Sequence, residues 1–527
     1  MRADQEFRSI PAMALMSGTR FADATAVIDG EVRLSFGEVA DGMLAVARSL
    51  VAQGVEPGDR IALWAPNSAR WITAALGILA ARAWVVPVNT RFKGAEAAFV
   101  LRKMQARSLL CANGFLGTDS VALLRAADPD LPALRDVTIV EGPAAEGTIS
   151  WEDFLDRGAA VDEAVVRKRI DAIGPEDVSD VMFTSGTTGR PKGVMLRHGT
   201  CLRAYQAFND HFGLGEGDRL LIVLPFFHCF GYKAGWMAAL MVGATSVPMS
   251  VFDPVASLQA IEEHGITHTG GAPTIFWALL DHPARATTDL SSLRVAVVSA
   301  AYVPVELIHR MCDELGLDYA MTGYGLTEAH ALVSLSLPHE PPDVVAEWSG
   351  RLISGVEAKV VDDEGVEVPL GERGELLIRG FNLSDGYYRD PEATAAVFQA
   401  DGWLHTGDIA YMNADGYLKV CDRKKDMFIV GGFNVAPAEV EGMLVDWEKI
   451  AAAAVLGAPD PHYGEVGVAF VVPAAGVALT PEGVIAYARE AMANYKVPRR
   501  VEIVDALPTN ATGKVLKDEL RARLVPT

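Results

Sequence analysis

Short, continuously apolar runs alternate with amphipathic helical patterns through roughly the first four hundred residues, and this alternation constrains the fold more than any single motif. "RIALWAP", "AWVVPVN", "RLLIVLP", "ATSVPMS" and "LRVAVVSA" read as strands, several of them apolar throughout, as strands covered on both faces of a sheet are. Between them lie stretches such as "LSFGEVADGMLAVARSLVAQGV", with apolar residues three and four apart and Gly54 as a stop. The pattern predicts an α/β architecture with largely parallel sheets. No internal repeat or low-complexity tract is visible in it.

After about residue 355 the pattern changes. "EAKVVDDEGVEVP", "RGELLIRG" and "GYLKVCDR" read as short antiparallel strands joined by Asp-Gly and Gly turns. Beyond "DRKKDMFIVGG" a compact tail alternates on its own: a helix at "PAEVEGMLVDW", strands at "IAAAAVLGAP" and "EVGVAFVVP", a helix at "PEGVIAYAREAMA" and a last strand at "RRVEIVDALP". A chain of 527 residues exceeds the size at which a single core keeps growing. We therefore expect a large domain over 1–424 and a small one over 425–527, with the boundary near Lys425.

The net charge of −22 argues against nucleic acid or an anionic membrane as a general partner, since either needs a basic face. Any polyanion must be held by local groups. The five cysteines (Cys111, Cys201, Cys229, Cys312, Cys421) are scattered without a C-x-x-C pair, which fits a reducing compartment and disfavours a zinc site. The opening "MRADQEFRSIPAM" has no long apolar core behind a basic head, so no secretory signal is expected. The most hydrophobic run, Trp71 to Asn89, contains Arg82 and a Pro-interrupted strand; it reads as a buried helix feeding a strand rather than a membrane span.

Four segments hold more special residues than plain loops do. "TSGTTGRPKG", Thr184 to Gly193, offers three glycines, four hydroxyls, an arginine and a lysine, the makings of an anion-binding nest. It is not the G-x-x-x-x-G-K-[ST] loop, because Pro191 follows Arg190 and Gly193 follows Lys192. "TGYGLTEAH" (Thr322–His330) fails as a dinucleotide fingerprint, with Glu328 where the third glycine belongs. "DGWLHTGDIAYMNADGYLKVCDRKKDMFIVGGFNVAPAEVE" (Asp401–Glu441) carries Asp408, Arg423 and a Gly-Gly pair, and "PTNATGKVLK" (Pro508–Lys517) carries Lys514.

In this order and at these separations the segments resemble the adenylate-forming superfamily of acyl- and aryl-CoA synthetases, luciferases and peptide-synthetase adenylation domains, over roughly residues 15 to 520. "PFFHCFGYKAG", "HPARATTDLSSLRVAV" and "GGFNVAPAEVE" look in particular like bacterial ligases acting on the propionate side chain of degraded steroid rings. The resemblance implies a large domain of stacked mixed and parallel sheets with helices, a small β-barrel-like subdomain, and a small mobile α+β C-terminal domain. It also implies a two-step reaction: carboxylate attacks the α-phosphate of MgATP, and the thiol of coenzyme A then displaces AMP.

The resemblance assigns roles residue by residue. Thr184, Ser185, Gly186, Thr187, Thr188, Gly189 and Lys192 would close over the β- and γ-phosphates. Thr327 would meet the α-phosphate and Glu328 would hold Mg²⁺, which prefers one or two carboxylates plus substrate oxygens. Tyr324 and Gly325 would face adenine, with Ser299, Ala300 and Ala301 as the opposite wall. Asp408 and Arg423 would bind the ribose hydroxyls. Lys514 would bridge the carboxylate and the α-phosphate, Lys425 would be the hinge, and Gly431 and Gly432 would leave room for the pantetheine arm of CoA. His228 matches an aromatic gate, with Phe227, Phe230 and Tyr232 lining the acyl pocket beside it. Lys233 reads either as an exposed helix-start lysine or as a partner for a polar substrate group.

No acid near His228 stands ready for an amino group, which disfavours an amino acid substrate. The expected substrate is a hydrophobic or alicyclic carboxylic acid, a steroid-ring propionate in the narrower reading and a medium- or long-chain fatty acid in the alternative. "HGITH" lacks the glutamate of a zincin and no G-x-S-x-G elbow is present, so hydrolases are disfavoured. A luciferase-like oxygenase shares every motif; a non-catalytic binding relative would be expected to lack Lys514 or Glu328. A cytoplasmic enzyme is expected, and soluble homodimers are frequent in the superfamily it resembles.

Overall fold

A computed structural model describes residues 2–184, 191–299, 303–424, 426–430, 433–460, 463–492, 494–510 and 513–524. Two seven-stranded sheets organise the large part of the chain. The first runs in the order Ile149–Ser150, Asp136–Glu141, Ser108–Ala112, Arg60–Trp64, Trp84–Pro87, Val178–Thr184, Lys192–Arg197. The second runs Tyr319–Met321, Val295–Val298, His268–Gly271, Arg219–Ile222, Thr245–Pro248, Thr25–Asp29, Val32–Ser35. Both share one plan: parallel strands closed at one edge by a single antiparallel strand.

Strand alternation sorts the core. Side chains two apart on a strand share a face. Ile61 and Leu63 of the first sheet join Leu220, Ile222, Val295 and Val297 of the second in one cluster. The intervening Ala62 and Trp64 pack in a separate cluster, as do Leu221, Ala296 and Val298. One core therefore takes a face from each sheet, and helices cover the outer faces, which is why these strands are apolar throughout.

Helix Phe36–Ala52 begins in a capping box: Ser35 Oγ accepts from the Glu38 N–H at 3.1 Å, and Glu38 Oε2 accepts from the Ser35 N–H at 2.8 Å. Helix Ala69–Ala80 is buried at every position but Arg70 and leads into strand Trp84–Pro87, as the apolar run predicts. Among the described residues no helix is long and apolar enough to cross a membrane.

A four-stranded antiparallel sheet follows, Val356–Val361, Gly374–Gly380, Leu404–Met412 and Leu418–Arg423 in chain order. A three-stranded ribbon, Gly323–Tyr324, Ser334–Leu335 and Arg351–Leu352, meets it through an Arg351–Tyr417 bridge. From Phe428 onward the chain builds another core around Val440, Leu444, Val455, Ala469 and Val484, with helices Pro437–Val445 and Pro481–Ala491 on a sheet centred on Gly464–Pro473. Lys425, the expected boundary, lies outside the described residues. Contacts among the described residues join the large and small parts, the Arg373–Glu439 ion pair at 3.4 Å among them. The Ala438 N–H donates to Asp422 Oδ2 at 2.7 Å, and Gly513 packs on Ala272 and Thr274.

Candidate active site

The hydroxyl-rich loop springs from the antiparallel edge of the first sheet. Strands Val178–Thr184 and Lys192–Arg197 pair down to Thr184 opposite Lys192, so these two residues flank the loop mouth. Ser185, Gly186, Thr187, Thr188 and Gly189 lie outside the described residues. The hairpin is fastened to a second segment by backbone bonds: Met195 N–H to Gly386 O at 3.0 Å and Tyr388 N–H to Gly193 O at 2.7 Å.

The "TGYGLTEAH" segment leaves the second sheet after Tyr319–Met321 and folds back on itself. A Cβ on Gly325 would lie 2.1 Å from the Ala331 carbonyl oxygen, so only glycine lets the chain turn there. Thr327 and Glu328 sit in the short turn Thr327–Ala329, each half-buried. His330 then takes a left-handed backbone, φ 54°. Its Nε2 accepts from the Arg197 N–H at 3.1 Å, so Nδ1 carries the proton and donates to Asn382 O at 2.8 Å. Burial, with smaller opposing and assisting effects from neighbours, pulls His330 down to about 3, so it is a neutral bracket tying this turn to the hairpin.

Predicted residues meet in two groups across this junction. The Tyr324 hydroxyl donates to the buried Asp408 carboxylate, placing the expected adenine and ribose residues in contact. Arg423 is the backbone partner of Asp408 across the adjoining strands; its side chain lies outside the described part. Glu328 Oε1 accepts from the Tyr387 hydroxyl at 2.8 Å, and Lys192 Nζ lies 4.8 Å from the centre of the same ring. Ser299 donates its N–H to Gly271 O at 3.2 Å at the end of its strand, while Ala300 and Ala301 lie outside the described residues, as do Gly431 and Gly432.

A narrow cavity of about 20 Å³ on the second sheet is lined by Phe230, Gly231, Ala234 and Gly235 of the wide-turned helix Phe230–Met237, against strand residues including Ile222, Gly270 and Val297. Phe208 and Phe212 close it from helix His198–Phe212. Tyr232 and Lys233 are not lining residues. Tyr232 is fully buried, stacked on Trp236 at 5.0 Å between ring centres and edge-on to Trp71. Lys233 is neither exposed nor a substrate partner: it is fully buried and ion-paired with Asp180 on the strand that leads into the hydroxyl-rich loop. Burial alone would lower its ammonium; Asp180 overcomes this and holds it well above its ordinary value.

The turn before this helix is held by Asn67, whose Nδ2 donates to Leu224 O at 2.8 Å and whose Oδ1 accepts from the Phe226 N–H at 2.7 Å. Phe227 and His228 follow, half-buried and outside the cavity lining. His228 Nδ1 accepts from the Phe230 N–H at 3.3 Å. Burial and, after it, the charge of Lys514 lower His228 to about 4, so the ring is neutral near pH 7. Gly513, at φ +82°, lies against Thr274 and Ala272, so the segment carrying Lys514 meets the large part beside helix Pro273–Asp281. Asn510 Oδ1 accepts from the Lys514 N–H at 2.9 Å and Asn510 N–H donates to Lys514 O at 2.8 Å.

Sequence reasoning misses Tyr387, Asn67, Asp180 and His330, each of which orients a predicted residue or its segment. Only His330, inside the quoted motif, had a local signal. Among the described residues no cluster of three or more His, Cys, Asp or Glu is arranged to hold a metal ion.

Residues 16–388 match the AMP-binding enzyme family, and residues 439–514 match the AMP-binding enzyme C-terminal domain. The chain belongs to the AMP-binding enzyme family. Among the members of this family, a 7a-methyl-1,5-dioxo-octahydro-1H-inden-4-yl propanoyl:CoA ligase of Mycobacterium tuberculosis is 47% identical over 98% of this chain and 99% of its own. The ligase of the same name from Rhodococcus jostii is 45% identical over 97% and 98%. A solved anthranilate CoA ligase in complex with anthranoyl-AMP superposes with a TM-score of 0.90 at 30% identity, covering 99% of both chains.

Proposed function

We propose that this AMP-binding enzyme is an AMP-forming acid:CoA ligase for a compact alicyclic carboxylic acid, in the first instance a bicyclic propionate derived from a steroid ring. The observation that carries the proposal is the hydrogen bond between Tyr324 and Asp408, the expected adenine and ribose residues, on the segment whose next turn holds Thr327 and Glu328. Two relatives that cover nearly the whole chain act, by name, on an octahydroindene propanoyl group.

In the proposed reaction Tyr324 stacks on adenine and Asp408 accepts from the ribose hydroxyls, with Arg423 beside it. Thr184, Lys192 and the loop between them neutralise the β- and γ-phosphates; Ser299, Ala300 and Ala301 form the opposite wall. Glu328 suits Mg²⁺, since a single carboxylate with substrate phosphates is a common arrangement for that ion, and the ion would neutralise phosphate charge. A carboxylate oxygen of the acid attacks the α-phosphorus, the bond to the bridging oxygen breaks, and pyrophosphate leaves. Lys514 and Thr327 offset the negative charge that accumulates there. The neutral His228 adds no competing charge.

Rotation about Lys425 would then withdraw Lys514 and bring Gly431 and Gly432 to the site. The sulfur of CoA attacks the acyl carbon, its proton passes to solvent, and the bond between acyl carbon and phosphate oxygen breaks, AMP leaving with that oxygen and its electron pair. None of the named groups must change protonation state in the first step, so positioning and charge neutralisation carry it.

The test is AMP release with MgATP on a panel of acids, straight-chain, aromatic and bicyclic propionates, each with and without CoA. CoA-dependent turnover highest on a bicyclic propionate is the expected result. Preference for fatty acids would overturn the substrate assignment, and no AMP release on any acid would overturn the ligase.

A further inference from the structure

Tyr387 lies between two functional segments that are far apart in the chain. Its backbone bridges Val194 of the hairpin. Its neighbours are wired to both sides: Gly386 and Tyr388 to the hairpin strand, Ser384 N–H to Glu328 O at 2.8 Å, and Asn382 to His330 and Leu332 at 2.8 and 2.7 Å. The Tyr387 N–H is itself held by Thr394 Oγ1 at 3.0 Å. The ring, 7% exposed, therefore has little freedom. From this fixed base its hydroxyl donates to Glu328 Oε1 at 2.8 Å while its face meets Lys192 Nζ at 4.8 Å.

We infer that Tyr387 is a positioning residue for the phosphate side of the nucleotide site: it fixes the rotation of the Glu328 carboxylate for a divalent cation and restrains the Lys192 ammonium at the loop mouth. This rests on the proposed role of Glu328. A glutamate carboxylate on a half-buried turn can otherwise rotate about three side-chain bonds. Committing one oxygen to a rigid phenol leaves the other in one place. Groups that orient a metal ligand through a hydrogen bond typically change metal affinity or activity by about 10–100-fold when removed. The ring contributes separately, since a cation over an aromatic face is attracted by its quadrupole. Thus one side chain aligns the two groups that a metal-bound triphosphate must meet together.

Tyr387→Phe isolates the hydroxyl because the ring and its contact with Lys192 remain. The measurement is the factor by which millimolar Mg²⁺ tightens binding of the non-hydrolysable analogue α,β-methylene-ATP, read by calorimetry alongside metal-free AMP affinity and the thermal midpoint. The expected result is a loss of about tenfold or more in the Mg²⁺ factor, with AMP affinity and midpoint unchanged. A wild-type Mg²⁺ factor overturns the inference. So does an equal loss of AMP affinity and midpoint, which would make Tyr387 a packing residue. Glu328→Gln separates the two levels: if it too leaves the Mg²⁺ factor intact, the role of Glu328 falls and Tyr387 with it; if it alone lowers the factor, Glu328 stands and only Tyr387 is refuted.

Discussion

Replacing Lys233 by methionine would leave Asp180 buried with the Ser179 hydroxyl, at 2.7 Å on Oδ2, as a remaining donor and Oδ1 without a partner among the described residues. Both charges are at or below 1% side-chain exposure, so water cannot make good the loss. Removing one partner of a buried pair costs about 3–5 kcal/mol. Over a unit the length of the matched span 16–388, an unfolding entropy of about 2.1 cal/mol/K per residue amounts to about 0.8 kcal/mol/K, so the large-part transition should fall by about 4–6 °C. Thermal unfolding followed by circular dichroism at neutral pH would read this, with little dependence on salt because the pair is buried. The double variant Lys233→Met/Asp180→Leu should recover most of the loss, since apolar replacements of a buried pair are often neutral or stabilising. An unchanged midpoint in Lys233→Met, or a double variant no better than the single, would refute the reasoning.

Tyr324→Phe removes the donor to Asp408; hydrogen bonds to charged groups contribute about 1.5–3 kcal/mol, so nucleotide affinity measured by calorimetry should fall about tenfold or more. Ala234→Leu places a larger side chain in the cavity and should raise KM for a bicyclic acid at least several-fold while KM for ATP stays the same; equal rises in both would argue against the cavity as the acid site. His198, His228, His268 and His330 are all lowered, to about 3, 4, 4 and 3, mainly by burial, so they stay neutral when folded. The unfolded chain takes up protons first below about pH 6.5. Stability from these groups is therefore intact above that pH and should fall as pH drops toward 4, as unfolding midpoints between pH 7.5 and 5 would register.

The strand residues Leu220–Ile222 and Val295–Val298 were legible because burial on both faces leaves no polar position to confuse the reading. The helix at Phe36–Ala52 was legible from its apolar three- and four-residue spacing and its Gly54 stop. That the two large sheets share a plan was not, since the shared feature is strand direction and carries no sequence period. At the site, residues inside one motif were found, Tyr324 and Glu328 among them, because local composition marks them. Lys233 was misread because its partner Asp180 is 53 positions away, and a lysine in an apolar helix gives no sign of what it meets. Tyr387 escaped for the same reason: its 59-position reach to Glu328 is made by the fold, not by neighbouring residues.

The proposed role of Lys514 lies in acyl-adenylate formation and not in thiol transfer. The direct measurement compares Lys514→Ala with the wild type in the two half-reactions, pyrophosphate release from MgATP and acid, and CoA ester formation from supplied acyl-adenylate. A drop of about 10²–10³ in the first, with the second near wild type, is the predicted result. Equal losses in both, or none in the first, would contradict it.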